Sequence, residues 1–222
     1  MIRLIIIPAV SIMFFSSCMS MMGIRPFVVR EGGVAPAAGD TIAVISGSNS
    51  EHSILLADLI GKELVKNSSF KVMEQKTFAK ILGAYPRNIR GPFHAEFTDY
   101  KKDFTNTDLA EILRIQKRLG FKYLWVLWVP LEKRQTSNFY MRGSGSMMYS
   151  VDEFVYVMGQ LFERSNGKDV AYSDLYVNCS PSGIGISMIG TRMPTSRKEA
   201  VEHLSRYISD TMIEKTGMVK MK

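Results

Sequence analysis

The chain has 222 residues, of which 46% are hydrophobic and 22% charged, and its formal net charge at pH 7 is +7. This length is sufficient for one domain with a sizeable hydrophobic core. No segment after the first fifteen residues has the eighteen clean apolar residues of a transmembrane helix, which excludes a helical membrane protein as the main body.

The amino terminus has a single basic residue, an apolar run over 4–15, and two serines directly before Cys18. The run is short for a permanent membrane span. This pattern resembles a bacterial lipoprotein signal, in which residues 1–17 are removed and Cys18 is lipidated. An ordinary secretory signal and an uncleaved anchor are the alternatives. Met19, rather than Asp, follows the cysteine, which by analogy with known sorting rules favours the outer over the inner membrane.

A lipidated Cys18 leaves Cys179 as the second and last cysteine of the chain. A disulfide framework and a cysteine-built zinc site are then excluded. We expect Cys179 to be a small apolar filler of the core. The positive net charge permits contact with anionic lipid or acidic polymers, but it is also ordinary for a small envelope protein.

Residues 18–40 are rich in Met, Gly, Pro and Ala and predict a flexible tether, followed by a single periplasmic domain over 41–222. The predicted elements are a strand over 41–45, a helix with the capping box Ser48–Glu51, a strand over 70–73, a helix over 75–83, a helix from Thr107 to Gly120, strands over 122–131, 151–163 and 169–177, and a helix from Ser196 to Gly217.

This order predicts an α/β fold, with a mixed sheet of about five strands, helices on both faces, and a carboxy-terminal three-stranded antiparallel meander. Strand 122–131 is apolar on both faces and is expected at the centre, with Trp125 and Trp128 in the core. An Asn-Gly turn joins the last two strands. In the third helix, the residues expected to face inward are Leu109, Ile112, Leu113 and Leu119.

Three segments resemble the curli-secretion-channel lipoprotein superfamily: 41–74, with its strand, helix and strand; 119–128, a helix end, a glycine and an apolar strand; and the hairpin 155–170. Related members are flagellar outer-membrane lipoproteins and lipoproteins that activate penicillin-binding proteins. The resemblance implies a lipid-anchored outer-membrane protein facing the periplasm. It further implies a protein without enzyme activity that binds another envelope protein as a scaffold or activator.

The channel member of that superfamily suggests the alternative of an oligomeric secretion-channel subunit, because it builds a barrel from two hairpin insertions per subunit. Segments 133–150 and 177–195 lie where those insertions would be. A spanning strand needs about 9–11 residues. The first segment is near that limit, whereas the second contains Pro181 and Pro194, which disfavour strand pairing.

No catalytic constellation can be assembled from the sequence. His52, His94 and His203 lack metal-ligand spacing, and no nucleophile elbow is present. We therefore expect no catalytic residue, no metal and no cofactor. An envelope enzyme such as a peptidoglycan hydrolase is a third hypothesis, for which the sequence suggests no acid or histidine.

A basic and aromatic segment near residue 90 is the predicted partner-binding surface. Its candidate residues are Arg87, Arg90, Phe93, Phe97 and Tyr100. Arginine and aromatic side chains supply much of the binding energy at protein interfaces. The alternative, given equal weight, is a loop whose aromatic side chains pack onto the domain itself. Nucleic acid is discounted as a ligand, because a lipid-anchored protein outside the cytoplasm rarely meets it.

Overall fold

The computed structural model describes residues 25–82, 88–91, 107–140, 147–165, 167–179, 194 and 196–217. Their elements, in chain order, are β1 (Arg25–Val29), β2 (Thr41–Ser46), α1 (Glu51–Asn67), β3 (Lys71–Met73), α2 (Gln75–Leu82), α3 (Leu109–Leu119), β4 (Tyr123–Tyr140), β5 (Met147–Glu163), β6 (Asp169–Cys179) and α4 (Arg197–Thr216).

The strands form one mixed sheet in the order β1-β6-β5-β4-β2-β3. β2 is parallel to both β3 and β4, whereas β4, β5 and β6 form an antiparallel meander that β1 extends. The predicted α/β fold with its carboxy-terminal meander is therefore confirmed. The sixth strand, β1, was not predicted.

β1 corrects the predicted tether. Arg25 pairs with Asp174 and Val29 pairs with Ala171, so residues 25–29 belong to the sheet. The side chain of Phe27 is 2% exposed, and its ring stacks on Trp125 at 5.3 Å between centroids. The following loop is also held, since the Arg30 amide donates to the Val170 carbonyl at 2.9 Å. The prediction of a flexible tether is therefore wrong over 25–40.

Helices cover both faces of the sheet, as predicted. α1 and α4 pack against each other and bury the first face, where Trp125 is 1% exposed. α2 and α3 cover β2 and β4 on the second face, where Trp128 is 2% exposed. Both tryptophans are therefore core residues, and β4 has the central position that its apolar sequence predicted.

The helix ends agree with the sequence in part. Ser196 caps α4, and the positive φ angles of Gly120 (76°) and Gly217 (68°) end α3 and α4. The first cap is different from the prediction, because α1 begins after Ser50, whose side chain accepts from the Ser53 amide at 3.1 Å. The capping box at Ser48 is therefore wrong.

The third helix also differs from its prediction. Its cap is Asp108, which accepts from the Glu111 amide at 3.2 Å, rather than Thr107. Leu109 and Leu113 are 46% and 41% exposed, contrary to the expected inward face. Ile112 is buried as predicted, and Ile115 and the polar Gln116 lie with it on the packed side.

Gln116 is accommodated on this inward side because its amide donates to the Phe162 carbonyl at 3.0 Å. Its buried Oε1 has no hydrogen-bond partner among the described residues, so burying Gln116 carries a cost, and its polarity was a misleading sign of the exposed side of the helix.

β4 and β5 continue beyond the rest of the sheet as a two-stranded hairpin. They pair as far as Tyr140 and Met147, whereas β6 pairs with β5 only as far as Cys179, opposite Glu153. Residues 135–140 and 147–152 thus pair with each other and with no other described strand; we call them the arm. The hairpin considered for 133–150 therefore forms over the described residues. None of the described helices combines the length and apolarity needed to cross a membrane.

Candidate interaction site

Most of the predicted site residues lie outside the described part of the chain. These are Cys18, Arg87, Phe93, Phe97 and Tyr100. Of the predicted set, Arg90 is described. It is exposed, and its carbonyl accepts from the Asp108 amide at 2.9 Å. The predicted partner surface thus remains a prediction, with one member whose backbone position is defined.

The residues next to Arg90 are hydrogen-bonded to Gly47, which directly follows β2, and to Trp128 in β4. Ile89 is 5% exposed, its amide donates to the Gly47 carbonyl at 2.8 Å, and its carbonyl accepts from Trp128 Nε1 at 3.1 Å. An added Cβ at Gly47 would overlap the Trp128 indole, and one at Gly91 would lie 2.8 Å from it. Both glycines are therefore required for the indole to lie this close to the backbone.

The Gly-Ser loop between β2 and α1 does not offer free amides to an anion. Its amides are already bonded: Gly47 to the Leu127 carbonyl at 2.7 Å, Ser48 to Ser46 Oγ at 3.2 Å, and Asn49 to Asn88 Oδ1 at 3.0 Å. A phosphate cradle needs such N–H groups aimed at the ligand. These three amides are therefore used to hold the loop and Asn88 in place, and they do not form a phosphate cradle.

A polar cluster on the second face joins β1 to β6 and β5. Its members are Arg25, Arg30, Thr107, Tyr156, Gln160, Asp169, Tyr172 and Asp174. Arg30 forms an ion pair with Asp169 at 2.6 Å, and Gln160 donates to the same carboxylate at 3.1 Å. The Arg30 guanidinium also lies 4.8 Å from the centre of the Tyr172 ring. These contacts hold the carboxyl end of β1, which Arg30 directly follows.

The amino end of β1, at Arg25, is held by other members of the cluster. Arg25 Nη1 donates to the Tyr172 hydroxyl at 3.1 Å. The Tyr156 hydroxyl donates to Asp174, the strand partner of Arg25. Thr107, which precedes the α3 cap Asp108, donates to Gln160. Side chains distant in the sequence thus attach the first strand to the sheet.

The two carboxyl groups of the cluster are electrostatically different from exposed ones. Asp174 is 3% exposed, and burial raises its pKa from 3.8 to about 6, an effect that the positive charge of Arg25 partly offsets. Burial also raises the pKa of Asp169, against the opposing hydrogen bond and charge of Arg30. Burial of the Asp174 carboxyl thus favours its protonated, neutral form.

The cluster is better suited to holding the strand than to chemistry. Within the described residues, no three His, Cys, Asp or Glu side chains could together hold a metal ion. Asp174 and Gln160 are buried, so an external substrate would not reach them. Sequence reasoning missed this cluster, although Tyr172 and Asp174 alternate with buried Ala171 and Leu175 and could have predicted a polar face of the last strand.

Comparison with known proteins assigns no family. No protein-family model matches the chain, and no curated protein matches it either. Similar solved structures include the PelC dodecamer from Paraburkholderia phytofirmans, with 13% identity, a TM-score of 0.41, and coverage of 82% of this chain and 95% of that chain.

Two further solved structures are similar at the same level. The hypothetical protein CT253 from Chlamydia trachomatis has 9% identity and a TM-score of 0.39, covering 79% of this chain and 94% of that one. Lipoprotein GNA1162 from Neisseria meningitidis has 12% identity and a TM-score of 0.35, covering 64% and 84%. Similarities this weak give this chain no function.

Proposed function

We propose that this chain is a bacterial outer-membrane lipoprotein whose domain faces the periplasm. In this proposal it acts as a non-catalytic scaffold or activator that binds another envelope protein. The observation that carries the proposal is Cys18, which directly follows a short apolar run and two small residues. Acyl chains on this cysteine would bind the membrane through many buried CH₂ groups.

The position of β1 supports an anchor close to the domain. The sheet begins at Arg25, seven residues after Cys18. Seven extended residues span at most about 25 Å. An acylated Cys18 would therefore keep the first residue of the sheet within about 25 Å of the bilayer surface.

The position of Arg90 supports the predicted partner surface. Its side chain is exposed, while the backbone of Ile89 before it is held by hydrogen bonds with Trp128 and Gly47. A guanidinium on a fixed backbone loses less conformational entropy on binding than one on a mobile segment. The residue is thus well placed to contact an acidic group on a protein partner.

Cell fractionation of Cys18→Ala tests the anchor. We expect the substituted protein to leave the membrane fraction, and mass spectrometry of the native protein to find acyl chains on Cys18 and residues 1–17 removed. Cys179→Ala is the matched control and should remain membrane-bound. Membrane retention of Cys18→Ala, or an unmodified amino terminus, would refute lipidation.

Crosslinking from native membranes tests the partner surface. We expect Arg90→Glu to reduce the yield of crosslinked envelope protein, because it reverses the charge at the contact. Lys66→Glu makes the same change at an exposed position of α1 and should leave the yield unchanged. Equal yields for both variants would argue against the surface around Arg90.

The arm favours a second candidate, an oligomeric secretion-channel subunit, because it projects a hairpin from the sheet. Over the described residues, six residues of each strand are unshared with the rest of the sheet, whereas a spanning strand needs about 9–11. Planar-bilayer conductance, or rings of detergent-purified protein under the electron microscope, would support this candidate. A strict monomer in detergent would contradict it.

A further inference from the structure

We infer that the exposed face of α3 binds an acidic, amphipathic helix of the envelope partner. This inference rests on the proposed function and deepens it, because it gives the partner a binding surface and a chemistry. We call this face the α3 surface. Its six members are all exposed: Leu109, Ala110, Leu113, Arg114, Lys117 and Arg118.

The α3 surface belongs to a helix that is fixed at both ends. Asp108 caps its amino end, and Gly120 ends it in the left-handed conformation. The Gly120 carbonyl accepts from the Arg164 side chain at 3.2 Å. The Arg118 side chain donates to the Ile81 carbonyl at 2.9 Å and so connects α3 to α2. A surface on such a fixed helix loses little conformational entropy when a partner binds.

Two leucines form the apolar part of the α3 surface. Leu109 and Leu113 are 46% and 41% exposed. They are four residues apart, so they are neighbours on one side of the helix. Leu113 also packs closely on the turn between β5 and β6, since a Cβ added at Gly167 would lie 2.7 Å from Leu113 Cδ2. This pair is suited to pack against a second helix, whose apolar side chains recur at the same spacing of three or four residues.

The charge of the α3 surface determines the charge of its partner. The surface contains Arg114, Lys117 and Arg118 and no carboxylate. Glu111 neutralises Arg114 through an ion pair at 2.6 Å, so that two uncompensated cations remain in the last turn. Lys117 is four residues beyond Leu113 and continues the line of the leucines by one turn. A partner with carboxylates beside an apolar stripe is therefore complementary to this face.

The α3 surface is continuous with the predicted partner surface at Arg90. The Asp108 amide donates to the Arg90 carbonyl at 2.9 Å, and Leu109 directly follows Asp108. The helix has 11 residues and is therefore about 16 Å long, at 1.5 Å per residue. One partner helix of three turns could thus cover α3 and reach the exposed side chain of Arg90.

Two other occupants fit the α3 surface less well. A second copy of this chain has the same formal net charge of +7, so two such basic faces repel each other. A lipid bilayer usually meets Trp and Tyr at the headgroup level, and the α3 surface has neither. Its leucines are also more than half covered by their own domain, so a flat membrane surface would contact little of them.

Fluorescence anisotropy with a defined peptide tests the chemistry of the partner. The probe is a fluorescein-labelled synthetic helix of Leu, Ala and Glu, with Leu at every third or fourth position, and the protein is the full-length lipidated chain in detergent. We expect saturable binding that weakens with added salt and that Leu113→Ser and Lys117→Glu each weaken at least five-fold.

The matched controls lie on α1. Val65 is 43% exposed and Lys66 is exposed, so Val65→Ser and Lys66→Glu make the same changes elsewhere and should alter binding less than two-fold. The midpoint of urea unfolding is measured for each variant, and Lys117→Glu decides the result if Leu113→Ser lowers that midpoint. An absence of saturable binding, or equal effects on α1 and α3, would overturn the inference.

Photocrosslinking in cells separates this inference from the proposed function. Benzoylphenylalanine would replace Leu109 on α3 or Val65 on α1. We expect an adduct from the α3 position alone, formed with an acidic helical segment of an envelope protein and lost on Lys117→Glu. An adduct with lipid or with a second copy of the chain, or no adduct, would overturn the inference. An adduct that is lost on Arg90→Glu and unaffected by Lys117→Glu would keep the proposed partner and refute the α3 surface, while fractionation of Cys18→Ala tests the anchor independently.

Discussion

Replacing Asp174 by Asn should stabilise the protein at alkaline pH and leave it unchanged in acid. Asp174 is 3% exposed, and burial raises its pKa from 3.8 to about 6. A carboxyl whose pKa is higher in the folded state favours folding when protonated. Its contribution is therefore fully present below pH 3.8 and is lost as the pH rises through about 6.

The magnitude follows from the two pKa values. The difference between 3.8 and about 6 corresponds to about 3 kcal/mol, at about 1.4 kcal/mol per pKa unit. Asn is never charged, and its oxygen can still accept from the Tyr156 hydroxyl. We expect Asp174→Asn to raise the free energy of unfolding by ~1–3 kcal/mol at pH 8 and by only ~0.5 kcal/mol at pH 4.

Urea unfolding followed by tryptophan fluorescence provides the assay, because Trp125 and Trp128 are both buried. The two proteins would be compared at several pH values from 4 to 8, so that contributions of other carboxyl groups cancel in the difference. Asp210→Asn, at an exposed position of α4, is the matched control for the change from Asp to Asn, and its difference is subtracted from that of Asp174→Asn at each pH. A difference for Asp174→Asn that is the same at pH 4 and pH 8 would refute the reasoning.

Two further predictions concern packing and capping, and urea unfolding measures both. Gly47→Ala should cost more than ~2 kcal/mol, because its Cβ would overlap the Trp128 indole, whereas Gly61→Ala, with open space inside α1, should stabilise by ~0.5–1 kcal/mol. Ser50→Ala should cost ~1 kcal/mol as the observed cap of α1, and Ser48→Ala should be nearly neutral. Equal effects within either pair would contradict the structure.

The apolar periodicity of the sequence was sufficient to predict the main elements. The run at 122–129 had to be a central strand, because apolar residues on both of its faces need cover from two layers. The Asn-Gly turn and the pattern of the final helix likewise predicted β5, β6 and α4 without tertiary information, since each depends on residues near in the sequence.

Local periodicity did not predict the elements that depend on distant partners. β1 is five residues long and follows a Met- and Gly-containing stretch, so local composition indicated a tether; pairing with β6, over 140 residues later, makes it a strand. The predicted cap of α1 was wrong for another reason, because the spacing of Ser48 and Glu51 fits a capping box by local sequence alone. In the structure the Gly47 amide still bonds to Leu127 of β4, and the helix begins after Ser50.

The sequence by itself determined the fold class, the central strand and the two-sided core, because local hydrophobic periodicity encodes which faces must be buried. Tertiary structure decided where the chain enters the sheet, how far the hairpin of β4 and β5 projects, and that Asp174 meets Arg25 and Tyr156. These features arise from pairings between remote segments, and the energies of such pairings are not properties of any single stretch of residues.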